Sequence, residues 1–202
     1  MVNINAPVVA DLLRQSLQQG QMPRLEVTSN SMAPLLRQGD QVLLEAVTVD
    51  QLRRGDIITL FSASYMMTHR YWETAVGPQP ALLTRGDRPL VFDPPWPPEA
   101  LIGRVVGRLR TNGRLRTNGR SRTNGRSRTN GRSPHEHKLQ LDAGPGRWLN
   151  RHLCWLAGLE FSWWGNRANG ATSARWVRPR RPLRGVIYTW ATFITGIVGL
   201  IA

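Results

Sequence analysis

Between Leu25 and Arg108 the chain is cut into apolar runs too short for helices, and that cadence limits the fold more than any other feature. The runs are Gln41–Ala46, Asp56–Phe61, Met66–Trp72, Ala81–Thr84 and Leu101–Val106. Gly-Asp pairs at 39–40, 55–56 and 86–87, and a proline cluster at 94–98, separate them. A pleated segment crosses a small sheet in about four to eight residues, whereas a helix needs ten or more. The region is therefore expected to be mainly β, as a sheet or a partly closed barrel; about 80 residues can bury only a modest core. Ahead of it, Val8, Leu12, Leu13 and Leu17 recur at helical spacing. Residues 7–19 are expected to form a short amphipathic helix ending at Gly20, within an N-terminal segment 1–24.

Residues 110–133 repeat with a period of six: Arg-Thr-Asn-Gly-Arg-Leu once, then Arg-Thr-Asn-Gly-Arg-Ser three times. That period fits neither a helix nor a strand face, and the unit has almost nothing to bury. A disordered linker over 109–138 is the expectation. The other reading is an arginine strip that touches nucleic acid or anionic lipid head groups. Eight arginines and no acid lie within 110–132, so of a formal net charge of +14 only +6 belongs to the rest of the chain. The basicity is local, and nucleic acid is not expected as a partner. Cys154 is the sole cysteine, and no Cys/His spacing suggests a metal site.

Beyond the repeat, six of the eight tryptophans lie past Arg147, which sets segment 139–185 apart. Trp148, His152, Trp155, Leu156, Leu159 and Trp163 fall near one helical face, with Asn150, Arg151 and Glu160 mostly off it. Such a face suits a membrane interface, or equally a helix packed across the β domain. Val186–Ala202 then runs 17 residues without a charge, preceded by Arg175, Arg178, Arg180, Arg181 and Arg184. About 17 is the lower limit for crossing a bilayer. A membrane-anchored tail over 186–202 is expected, with a buried core helix as the alternative. Met1–Gln21 carries Asp11 and Arg14 and reads as neither a secretory signal nor a span. Membrane association is thus assigned to the C-terminal segment, with the side of the membrane left open.

Chemistry is concentrated in Ser29-Asn30-Ser31-Met32-Ala33-Pro34, Thr68-His69-Arg70 and Thr84-Arg85-Gly86-Asp87. A serine hydroxyl needs a neighbouring base to become a nucleophile at neutral pH. Lys138, the only lysine, lies beyond the repeat, and His69 is the only histidine in the β region. His135 and His137 fall in a polar loop and His152 in the tryptophan-rich segment. His69 is therefore the one conventional base at hand, with a choice of carboxylates beside it.

Taken with Gly55-Asp56-Ile57 and the closing Ile102-Gly103-Arg104-Val105, these segments resemble the signal peptidase family. The similarity is greatest to the branch of the endoplasmic reticulum and archaea, in which histidine replaces the lysine base. It covers residues 25 to about 107. The resemblance implies a LexA-like, partly closed β-barrel over 25–108, with an N-terminal helix and C-terminal helical segments around it. It implies Ser31 as nucleophile, His69 as general base and, six residues beyond the Gly-Asp pair, Asp93 as third member, with Asp87 as the other candidate. It also implies an oxyanion hole made by the Ser31 N–H and the Ser29 hydroxyl. Met32 and apolar strand residues are expected to line the substrate pocket. The expected activity is that of a serine endopeptidase that cuts a leader or signal peptide after small residues, acting on a peptide or precursor protein without a cofactor. The family's anchor before the serine box has no counterpart here. Two alternatives are a self-cleaving regulatory relative, which the lysine shortage disfavours, and a non-catalytic membrane-associated module of the same fold.

Overall fold

A computed structural model describes residues 6–62, 65–75, 79–111, 136–160 and 189–198. Helix α1 (Ala6–Gln18) buries Ala10, Leu13 and Leu17, one stripe at i, i+3 and i+7, and leaves Val8 and Leu12 exposed. Its end follows from Gly20, at φ +74°. There the Gln21 N–H reaches Ser16 O and the Gly20 N–H reaches Leu17 O, each at 3.0 Å. This two-bond cap needs a left-handed residue, which glycine supplies without a Cβ penalty.

The five expected runs are strands β2 (Gln41–Glu45), β3 (Ile57–Ser62), β4 (Tyr65–Ala75), β5 (Ala81–Arg85) and β6 (Leu101–Thr111). Two more join them, β1 (Arg24–Glu26) and β7 (Glu136–Gln140). Every pairing is antiparallel, in the order β1-β2-β6-β3-β4-β5, with β7 also on β6. The chain is thus mainly an antiparallel sheet with helices on either side in sequence. The sheet is not closed: β1 and β5 end the strand order, so the partly closed barrel is replaced by an open sheet among the described residues.

The linker expected over 109–138 starts and finishes inside this sheet. Strand β6 runs on to Thr111, β7 begins at Glu136, and the two residues are register partners. Residues 112–135, most of the repeat, lie outside the described residues. Joining two paired strands through so long a connection is cheap, because loop-closure entropy grows only with the logarithm of length.

The main core lies on one face of the sheet. It gathers Leu13 and Leu17 of α1, Val42 and Leu44 of β2, Ile57 of β3, Val105 of β6 and Leu139 of β7. Helix α2 (Gly144–Glu160) adds Leu149, Leu153 and Leu156, an i, i+4, i+7 stripe. The packed face of α2 is therefore this leucine stripe, while Trp148, Trp155 and Leu159 of the expected apolar face point outward. Residues 189–198 are helical and place Ala191, Ile194 and Val198 in the same core. That part of the expected membrane tail has a buried side. Residues 161–188 and 199–202, with Trp163 and the rest of the tail, lie outside the described residues. Among the described residues no helix is long and apolar enough to cross a membrane.

Candidate active site

Edge strand β1 leads into the loop that carries Ser31. Met32, Ala33, Leu35 and Leu36 are all buried, so apolar burial holds this loop down immediately after the serine. Met32 is only 2% exposed and belongs to the main core. There it anchors the loop immediately after the serine. Strand β6 holds the loop from beneath with two arginines. Arg108 Nη1 donates to Leu35 O at 2.9 Å. Arg110 grips Asp40 through Nε at 2.7 Å and Nη2 at 2.6 Å, and Asp40 also accepts the Arg37 N–H at 2.8 Å. Burial, with Arg110 and Arg37 adding repulsion against the pull of Asp40, pushes Arg108 down to about 10. It remains a cation at neutral pH.

His69 is on β4 and is buried. Its Nε2 lies 2.9 Å from Ser31 Oγ and its Nδ1 lies 2.7 Å from Asp93 Oδ2. Thr84 of β5 also donates to Asp93 Oδ2, at 2.7 Å. A carboxylate can only accept, so the ring proton sits on Nδ1 and Nε2 offers its lone pair to the serine hydroxyl. The proline cluster delivers Asp93 to this place. Residues 93–96 run beside β5, with Leu82 and Trp96 exchanging two backbone bonds at 2.7 and 3.0 Å and the Asp93 N–H reaching Thr84 O at 2.9 Å. Prolines are tolerated there because the segment covers a sheet edge instead of entering the ladder.

Ser29 Oγ is 3.1 Å from Ser31 Oγ and accepts the Ser31 N–H at 3.4 Å. Ser29 is exposed and Ser31 half-buried. On the other side of the serine, the turn after β5 presses close. The Arg88 N–H donates to Ser31 O at 2.9 Å. A Cβ on Gly86 would lie 2.9 Å from Ser31 O, 2.8 Å from Pro89 Cδ and 3.2 Å from His69 Nε2. Only glycine allows that approach. Gly86→Ala is expected to cost about 1–3 kcal/mol through overpacking, read as a fall in Tm of about 2–4 °C per kcal/mol. An unchanged melting curve would show that the turn is not held against the site.

Asp87 does not meet the imidazole. It receives Arg70 side-on, with Nε to Oδ1 at 2.7 Å and Nη2 to Oδ2 at 2.8 Å. Arg70 is fully buried; burial works against its charge, but Asp87 outweighs that and the pKa is raised. The bidentate fork is the geometry that makes a buried guanidinium tolerable. Its remaining nitrogen, Nη1, donates to Gly55 O at 2.7 Å and to Asn150 Oδ1 of α2 at 2.6 Å. Helix α2 is also tied to β5, where Arg85 Nη2 donates to Ala157 O at 2.7 Å.

The site thus unites Ser29, Ser31, His69 and Asp93, places Asp87 one layer behind them, and sends Met32 into the core. Three participants were not singled out by residue type: Thr84, Arg70 and Asn150. Thr84 and Arg70 lie within the motifs, beside the Gly-Asp pair and the base, but no role attaches to them from the sequence. Asn150 lacks even that proximity, since it lies 80 residues from its partner. A cleft of about 1290 Å³ between the sheet and α2 is lined by Asp56, Arg104, Asn150 and Cys154, among others, but not by Ser31, His69 or Asp93. No protein-family model and no curated protein matches the chain.

Proposed function

We propose that the chain is a serine endopeptidase of the signal-peptidase type, which removes a leader or signal peptide from a precursor by cutting after small residues. The single observation that carries this reading is the hydrogen-bonded line from Ser31 Oγ through His69 to Asp93, with links of 2.9 and 2.7 Å. In the acylation step Ser31 Oγ bonds to the scissile carbonyl carbon as its proton passes to His69 Nε2. Asp93, held by Thr84, steadies the imidazolium. The carbonyl oxygen becomes an oxyanion that accepts from the Ser31 N–H and from the Ser29 hydroxyl, which is free to rotate away from Ser31 Oγ toward the stronger acceptor. Breaking the C–N bond sends the His69 proton to the leaving amine. Water then repeats the attack on the acyl-serine and regenerates the hydroxyl.

The signal-peptidase-like fold is part of the same proposal. What supports it is the convergence of the serine box, the base strand and the Gly-Asp turn on one site, in the family's chain order. The test is direct: the full chain is incubated with precursors whose leaders end in small residues, and new N-termini are mapped by mass spectrometry. One cut after a small residue is expected. Precursors left intact through long incubation would overturn the reading.

Membrane association through the C-terminal segments completes the proposal. Trp148 and Trp155 are 56% and 59% exposed on α2, with Arg147 and Arg151 exposed beside them. Trp190, Phe193 and Ile197 are exposed on the helix of residues 189–198. The opposite faces of both helices are committed to the core, so these rings suit the interfacial plane better than a crossing. Replacing Trp148 and Trp155 together by alanine is expected to weaken cosedimentation with anionic vesicles roughly tenfold. Equal binding would exclude this face as the contact.

A further inference from the structure

We infer that Asn150, carried by α2 from beyond the arginine repeat, is a positioning residue for the Ser31 site and acts through Arg70 and Asp87. The inference rests on the serine-peptidase reading above. Its basis is an unbroken set of contacts from the helix to the nucleophile. Asn150 Oδ1 accepts from Arg70 Nη1 at 2.6 Å, while Asn150 Nδ2 donates to Gly55 O at 3.3 Å. Gly55 O also accepts from Arg70 Nη1 at 2.7 Å, so the carboxamide, the guanidinium and one carbonyl form a closed ring of bonds. The carbonyl is itself fixed, because the Gly55 N–H reaches Tyr71 O at 2.9 Å and the Tyr71 N–H reaches Asp56 O at 2.7 Å.

The asparagine carboxamide offers an acceptor and a donor on one short stem, and of its two bonds the 2.6 Å one to Arg70 sets the guanidinium, while the 3.3 Å one to Gly55 O is the weaker. The consequence is orientation. With Nη1 engaged by Asn150 and Gly55, the guanidinium plane is set, and its other edge presents Nε and Nη2 to Asp87. Asp87 in turn fixes the residues on either side of it. Gly86 packs against Ser31 O and His69 Nε2, and the Arg88 N–H binds Ser31 O. Without the Asn150 side chain one N–H of a fully buried cation loses its 2.6 Å acceptor and is left with only the long 3.5 Å contact to the residue-150 carbonyl. The guanidinium then turns to find another, and Asp87 and the 86–88 turn move with it. Since a misplacement of about 1 Å can cost on the order of 100-fold in rate, such a shift reaches the chemistry although Asn150 touches no reacting atom.

The test uses the full chain and a fluorophosphonate probe, so no substrate need be known. Ser31 Oγ bonds to phosphorus, fluoride leaves, and the serine proton passes to His69. The labelling rate is measured well below Tm, beside thermal melts. Asn150→Ala is expected to label about 10–100-fold more slowly. Asn150→Asp, which keeps an acceptor for Arg70, is expected to stay within about threefold of the parent chain. A purely structural role would lower Tm and leave the labelling rate of the folded protein unchanged, and that result overturns the inference. If Asn150→Ala does not fold, Asn150→Ser, too short to reach Arg70, takes its place against Asn150→Asp. A parent chain that does not label, or a Ser31→Ala variant that labels equally, sinks the underlying serine-peptidase reading instead.

Discussion

Ser31→Ala is expected to abolish cleavage of leader-bearing precursors, lowering kcat by roughly 10⁴–10⁶-fold. At about 1.36 kcal/mol per decade, that is several times the worth of an ordinary hydrogen bond, because the oxygen removed is the atom that forms the new bond. The fold should barely register the loss. Ser31 contributes its backbone carbonyl to Arg88 and its backbone N–H to Ser29, and alanine keeps both groups. The loop is held by Met32, Leu35 and Leu36 and by Arg108, none of which needs the hydroxyl. The two readouts therefore separate cleanly: activity at background and a melting curve within a few degrees of the parent. A variant that cleaves at a comparable rate would overturn Ser31 as the nucleophile.

Local signals and long-range ones behaved differently in this chain. The five apolar runs became strands because their length and turn residues are local properties that the sheet had only to accept. Ser31 and His69 were readable for another reason: one lysine in the whole chain and one histidine in the β region leave no competing base. The choice between Asp87 and Asp93 was not readable, since both carboxylates follow β5 within eight residues of it. It depends on the path of the proline strap, whose backbone bonds to Leu82 and Thr84 bring Asp93 back to the imidazole. Strand β7 was invisible for a related reason. Glu136-His137-Lys138-Leu139-Gln140 offers only Leu139 to the core, and its partner strand lies across the repeat. In α2 the tryptophans dominated the apparent apolar face, yet the leucines are packed. Branched side chains without a polar atom fill a core at less cost than indoles whose N–H needs a partner. Closure of the barrel is a property of how the edges meet, and nothing in a strand's own residues reports it.

Asp93→Asn and Asp87→Asn are expected to fail in opposite ways. In Asp93→Asn the amide can donate to His69 Nδ1, which drives the ring proton to Nε2, where it faces Ser31 instead of receiving its proton. The imidazolium formed during attack also loses its counter-charge. A fall in kcat of roughly 10³–10⁴-fold follows, while the Thr84 hydroxyl, which shares Oδ2 with His69, can accept the second N–H of the same amide and Tm changes little. In Asp87→Asn the His69–Asp93 pair is untouched, but fully buried Arg70 loses the negative charge and one of its two oxygen acceptors, and meets an NH₂ in that acceptor's place. Removing one partner of a buried pair costs about 3–5 kcal/mol, a fall in Tm of about 2–4 °C per kcal/mol for a chain of this length. The folded fraction is expected to lose about 10–100-fold in rate from the loosened 86–88 turn, as in Asn150→Ala, still short of the loss in Asp93→Asn. Kinetics and melts on the two variants decide the matter together. Full stability with no turnover in Asp87→Asn, beside an active Asp93→Asn, would place Asp87 at the imidazole and Asp93 outside the chemistry.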